Sequence, residues 1–198
     1  MKAIVKYALG KDGMGLMDIP EPIPQDGELK VKVLAAGICG GDIHSMLDER
    51  ITDMPVTLGH EYVGQVVQTC GDVGEFQVGD YVVTLPACYS CGKCKFCKAG
   101  LVTLCPDRKS IGTHRNGAMA EYVVVPAKYS FKVPDEVEDK TVYALAEPFN
   151  CAVRGVYERI HVHPGDVAVV SGPGPMGQLA LQALKTRGAY VIVSGLKT

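Results

Sequence analysis

The chain has 198 residues, 47% hydrophobic and 21% charged, with a mean hydropathy of +0.11, which predicts a globular fold with a substantial core and excludes disorder or collagen-like repetition. Twenty Lys and Arg against 22 Asp and Glu leave a formal charge of -2. That balance offers no footprint for nucleic acid or an anionic membrane, so a small-molecule partner is expected.

Met1–Tyr7 alternates like an edge strand and lacks the apolar stretch and cleavage site of a signal peptide, which predicts a cytoplasmic protein. No apolar run approaches the roughly 18 residues needed to cross a bilayer. Pro20-Glu21-Pro22-Ile23-Pro24 reads as an extended link. Short Val-rich segments follow at Leu29–Leu34, Gly64–Gln68 and Tyr81–Leu85, broken by Gly, Pro and Asp. Such spacing predicts a β-rich, barrel-like region with few helices from Met1 to about Lys132, and a change of architecture near residue 150 makes 1–150 the first domain.

Within it, Cys91-x2-Cys94-x2-Cys97-x7-Cys105 supplies four soft ligands in one loop, over residues 86–106. A closed tetrahedral zinc site needs this donor set, and its work is to fold a lobe. Cys88 opens a second register, Cys88, Cys91, Cys94 and Cys97. The register closed by Cys105 is preferred because it staples the longer loop. Gly92 permits a tight turn, and Lys93, Lys95 and Lys98 offset thiolate charge.

After Pro134, Val137–Glu147 and Phe149–Glu158 carry helical spacing, interrupted at Pro148. Residues 151–198 then read strand (Asp166–Ser171), turn (Gly172–Gly177), helix (Gln178–Arg187) and strand (Ala189–Ser194), with Gly188 as helix terminator. Both strands are apolar enough to be buried on two faces. One βαβ unit leaves a sheet face and an edge uncovered, so the chain is expected to be part of a longer polypeptide.

Three further residues point to a second metal. Cys39 in Gly37-Ile38-Cys39-Gly40-Gly41-Asp42-Ile43-His44, His60 in Gly59-His60-Glu61, and Glu147 in Ala146-Glu147-Pro148 would leave a fourth position open for water or substrate. Singly, each has an ordinary explanation: a buried thiol, a core histidine, a carboxylate at a helix start. Ser171-Gly172-Pro173-Gly174-Pro175-Met176-Gly177 follows a strand and opens a helix, the context in which glycines admit a pyrophosphate to a helix N-terminus.

Taken in order, these motifs resemble the zinc-dependent medium-chain alcohol dehydrogenases, and most nearly the sorbitol and polyol dehydrogenase branch, because Glu147 stands where many alcohol dehydrogenases place a cysteine. The resemblance implies a mixed α and β chain: a GroES-like β-barrel catalytic domain followed by an incomplete Rossmann domain, a doubly wound parallel sheet. It implies two zinc ions per chain, one structural and one catalytic. Cys39 and His60 resemble catalytic zinc ligands, with Glu61 and Glu147 as acidic members, which of the two binds directly being open. Asp42 resembles the carboxylate that orients His60, or is a turn-capping Asp.

His44 resembles the outer member of a proton relay. Gly41 departs from the pattern, for it stands where the family carries a Ser or Thr hydroxyl. The implied activity is hydride transfer between a secondary alcohol or polyol and NAD or NADP, giving a ketone, in a homodimer or homotetramer. The alternative is a catalytically impaired, zinc-stapled binding or regulatory module of the same fold. For the cofactor, Gly172, Gly174, Pro175, Met176, Gly177 and Ser194 are the candidate contacts. No acidic residue lies between Asp166 and Thr198 to take a ribose 2′-hydroxyl, while Ser194, Lys197 and Thr198 suit a 2′-phosphate, so NADP is favoured.

Overall fold

The computed structural model describes residues 1–50 and 52–196. It divides into two compact units, Met1–Ala144 and Leu145–Thr198.

The first unit holds two antiparallel sheets. In the larger, β3 (Glu28–Ala36) pairs with β5 (Tyr62–Cys70) on one side and β7 (Tyr122–Pro126) on the other, and β5 continues to β6 (Tyr81–Thr84) and β8 (Ser130–Lys132). In the smaller, β1 (Lys2–Lys6) lies between β2 (Met14–Asp18) and β4 (Val56–Thr57). The larger sheet buries Leu29, Val31, Tyr62, Val66, Val82 and Val123 in one cluster. This is the alternation expected of strands with one face on a core.

Two expectations change here. The barrel is not a closed sheet: the two sheets are joined by an isolated bridge, Ala3 to Ala120, with the Ile4 N–H bonded to the Met119 carbonyl at 2.8 Å and the Glu121 N–H to the Lys2 carbonyl at 3.2 Å. The N-terminal strand is central rather than an edge. Its Lys6, which alternation alone would send to solvent, is 1% exposed, with Nζ 2.7 Å from Asp48 Oδ1 and donating to the carbonyls of Gly10 and Met46.

Helices are short in this unit: α1 (Gly40–Met46) and α2 (Lys95–Lys98). The bulges in β3 between Lys30 and Val31 and between Val33 and Ala35 bend the strand just before it delivers Gly37 and Cys39 to the start of α1.

In the second unit, α3 (Ala146–Arg154) runs into a π-helical turn at Gly155–Arg159. Pro148 does not interrupt it. The proline falls in the first turn, where its missing N–H has no intrahelical acceptor to lose. Next comes β9 (Val167–Ser171), α4 (Pro175–Thr186) and β10 (Tyr190–Ser194), the two strands parallel and in register from Val167–Tyr190 to Ser171–Ser194. α4 buries Ala183 and Leu184 with Val156 and Val162, against Ala168, Val170 and Val191. The opposite strand face, carrying Val167, Val169, Tyr190 and Ile192, is exposed, the face that a single βαβ unit leaves uncovered. Among the described residues no helix is long and apolar enough to cross a membrane.

Candidate metal and cofactor sites

Cys39 sits at the N-cap of α1, in extended backbone. The Gly41 N–H donates to its Sγ at 3.4 Å, and the Cys39 N–H donates to Asp42 Oδ2 at 2.9 Å, a reciprocal cap that fixes the thiol. His60 enters from the loop before β5. Gly59 ahead of it has φ +91°, and a Cβ there would lie 2.6 Å from Met119 Cγ and 2.8 Å from the Met119 nitrogen. Only glycine suits this turn, and the turn aims His60. Glu61 follows directly. Gly37 makes room for it: a Cβ on Gly37 would stand 2.5 Å from Glu61 Oε2.

Donor atoms of Cys39, His60 and Glu61 all lie within 4.8 Å of one another. Asp42, 5% exposed, accepts the Gly59 N–H at 3.3 Å through the same Oδ1 that lies 3.9 Å from His60 Nδ1. Burial pushes the Cys39 thiol above its ordinary value; the Gly41 N–H opposes this and the Glu61 carboxylate adds to it. Thiolate and carboxylate this close repel unless a cation lies between them. A soft sulfur, a nitrogen and an oxygen fit zinc, and three protein donors leave one position free.

Glu147 is in the first turn of α3, in the second unit. His44, on α1, has Nδ1 2.6 Å from Glu49 Oε2, both exposed. Sequence reading missed Glu49, since a carboxylate five residues beyond a histidine matches no motif. It also missed Arg50: the space that a side chain at Gly41 would enter is occupied, its Cβ position lying 2.6 Å from Arg50 Nη1.

The four-cysteine lobe is gathered without help from elsewhere. Cys91, Cys94, Cys97 and Cys105 have sulfurs within 4.8 Å of one another, with Cys94 to Cys97 at 3.5 Å and Cys91 to Cys97 at 3.9 Å. Zinc–sulfur bonds near 2.3 Å in a tetrahedron place sulfurs about 3.8 Å apart, so the set fits that ion. The N–H groups of Cys91, Cys94 and Cys97 donate to the sulfurs of Cys105, Cys91 and Cys94 at 3.4 to 3.5 Å. Backbone N–H groups of Lys93 and Cys94 draw the Cys91 thiol down to about 7, whereas burial foremost lifts Cys97 to about 11. Cys88 stands apart, buried, with its thiol donating to the Lys109 carbonyl at 3.6 Å.

In the second unit Gly172 (φ +104°) leaves β9 and Gly174 is the N-cap of α4, with Pro175 in the first turn followed by Met176 and Gly177. A Cβ on Gly177 would stand 1.9 Å from the Gly172 carbonyl oxygen, so the third glycine packs helix on loop. The Gly172 N–H donates to the Ser194 carbonyl at 2.7 Å, which puts Ser194 at the end of β10 beside this loop. Lys197 and Thr198 lie outside the described residues.

Residues 25–135 match the alcohol dehydrogenase GroES-like domain, and the chain belongs to that family. It is similar to D-arabitol-phosphate dehydrogenase of Enterococcus avium, 40% identical over 197 residues, covering 99% of this chain and 56% of that protein. It is also similar to sorbitol dehydrogenase of Halalkalibacterium halodurans, 38% identical over 196 residues and covering 99% and 57%. Among solved structures, a zinc-binding dehydrogenase from Sinorhizobium meliloti bound to NADP superposes with a TM-score of 0.89 at 37% identity, over 97% of this chain and 55% of that one. The chain thus spans about half the length of the relatives it matches.

Proposed function

We propose that this chain is the zinc-binding and nucleotide-loop portion of an oxidoreductase that transfers a hydride between a secondary alcohol or polyol and NADP, forming a ketone. The observation that carries the reading is the meeting of the Cys39, His60 and Glu61 donors within 4.8 Å. When bound, zinc supplies the Lewis-acid charge that makes a substrate hydroxyl acidic. Cys39, His60 and Glu61 hold the ion, with Glu147 the other acidic candidate. Asp42 ties the Cys39 and Gly59 backbones together and faces His60. His44, braced by Glu49, passes the proton to solvent.

A second zinc belongs to Cys91, Cys94, Cys97 and Cys105, and the cytoplasm, which we take as the compartment, keeps those thiols reduced. The first unit is read as the catalytic barrel-like domain, and β9–α4–β10 as the opening of a doubly wound nucleotide domain, in a homodimer or homotetramer. Gly172, Gly174, Pro175, Met176 and Gly177 receive the pyrophosphate. Ser194 and the absence of acidic residues after Asp166 favour NADP over NAD.

The test uses the full-length protein. Zinc is counted by atomic emission, and secondary alcohols and polyols are screened with both nicotinamides. Two zinc ions per chain and NADP-linked oxidation are expected, and Cys39→Ala should remove one ion and the turnover while the lobe keeps its own. One zinc in the parent protein, or turnover surviving in Cys39→Ala, rejects the reading in favour of a zinc-stapled module.

A further inference from the structure

The Gly41 Cβ position lies 2.6 Å from Arg50 Nη1 and 3.8 Å from Cys39 Sγ. The guanidinium therefore lies within about 6.5 Å of the Cys39 sulfur, in space that any side chain at Gly41 would contest. Arg50 is exposed, and its carbonyl accepts the Thr52 hydroxyl at 3.3 Å. Its guanidinium has no ion pair or hydrogen bond among the described residues.

Three acids of the same segment are already engaged. Asp48 lies 2.7 Å from Lys6, Glu49 2.6 Å from His44, and Asp53 3.6 Å from Lys109. Among the described residues, no ion pair is formed by Arg50. Burial of its ring foremost holds His114 below its ordinary pKa; Asp53 opposes this, and Lys109, Arg108 and Arg50 add to it, which places Arg50 near that ring. Cys39 and Glu61 supply the charge that balances a divalent ion in the donor set, which leaves the guanidinium to pair with a further anion.

We propose that Arg50 is a specificity-determining residue for an alcohol that also carries an anionic group, a phosphate monoester or a carboxylate, and that Gly41 is the residue that admits it. This rests on the oxidoreductase reading above. The planar fork of arginine donates two parallel hydrogen bonds to either anion. It cannot replace the missing hydroxyl as a proton carrier, because a guanidinium does not give up its proton in the accessible pH range. Arg50 thus acts in binding, through charge and shape.

The experiment takes the full-length, zinc-loaded enzyme and its Arg50→Gln variant, which changes an exposed side chain. Neutral polyols, their terminal phosphate monoesters and hydroxy acids of matched length are compared by kcat/KM. Binding of inorganic phosphate is measured separately by calorimetry. The parent enzyme should favour one anionic series over the neutral one by roughly 10- to 100-fold, the range for a charge-assisted pair. Arg50→Gln should erase that preference and weaken phosphate binding by about the same factor. Which series wins distinguishes phosphate from carboxylate.

Oxidation of polyols with no anionic preference, or a preference that survives in Arg50→Gln, overturns the proposal while the oxidoreductase reading stands. A change confined to the KM of the nicotinamide also overturns it, assigning the guanidinium to the cofactor. If no alcohol is oxidised yet phosphate binding depends on Arg50, the oxidoreductase reading fails and the anion site survives.

Discussion

The two clusters of metal-capable side chains in the first unit differ in how they are made. The lobe draws four like donors from the single loop Cys91–Cys105, and its sulfurs accept N–H groups from within that loop. The other set draws three unlike donors from distant positions, Cys39 capping α1 and His60 and Glu61 leading into β5. A local, saturated set can order its loop by binding a metal, while a dispersed, unsaturated set must be ordered by the fold and so keeps a position for another ligand.

The largest effect that would break this contrast is at Cys105. It is buried and closes the lobe, so Cys105→Ser should lose the lobe zinc and cost on the order of 3 kcal/mol or more, given how much folding energy structural zinc supplies to small domains. Zinc counting, thermal melting and hydrogen exchange over residues 86–106 read this out. An unchanged melt with the lobe zinc retained would move the closing role away from Cys105.

Next in size is Gly59→Ala. At φ +91°, with Met119 Cγ and nitrogen both under 3 Å from the added methyl group, the change combines a strained backbone with a clash that β5 cannot easily relieve. A cost of roughly 2 kcal/mol is expected, with His60 displaced. The urea midpoint should fall, and zinc should weaken at the dispersed set but not in the lobe. Equal weakening at both would show that the two sets are not independent.

The sequence made local features legible and distant ones obscure, for the same reason. Cysteine spacing set out the lobe because its ligands share a loop, and the strand–glycine–helix pattern marked β9, α4 and β10 because a βαβ unit is contiguous. The central position of β1 was hidden because its partner β4 lies some fifty residues on, and because Lys6 finds Asp48 only in the folded chain. Pro148 misled because a proline that breaks a helix interior is harmless in its first turn. The pairing of Gly41 with Arg50 left no trace at all, since an absent side chain and a filled space are related only in three dimensions.

The smallest of these effects, and the one that decides an open role, is Asp42→Asn. One buried carboxylate takes the Cys39 N–H at 2.9 Å through Oδ2 and the Gly59 N–H at 3.3 Å through Oδ1, with His60 Nδ1 3.9 Å away. Asparagine keeps one acceptor but turns the other into a donor facing an N–H, and it removes the charge opposite His60. If the carboxylate orients and polarises His60, zinc affinity at the dispersed set should fall about 10- to 100-fold, measured by competition with a chelating indicator, while the lobe ion stays bound. If Asp42 only caps the turn, thermal stability drops by about 1 kcal/mol and zinc affinity holds. Because the same oxygen serves Gly59 and faces His60, affinity rather than stability separates the two roles.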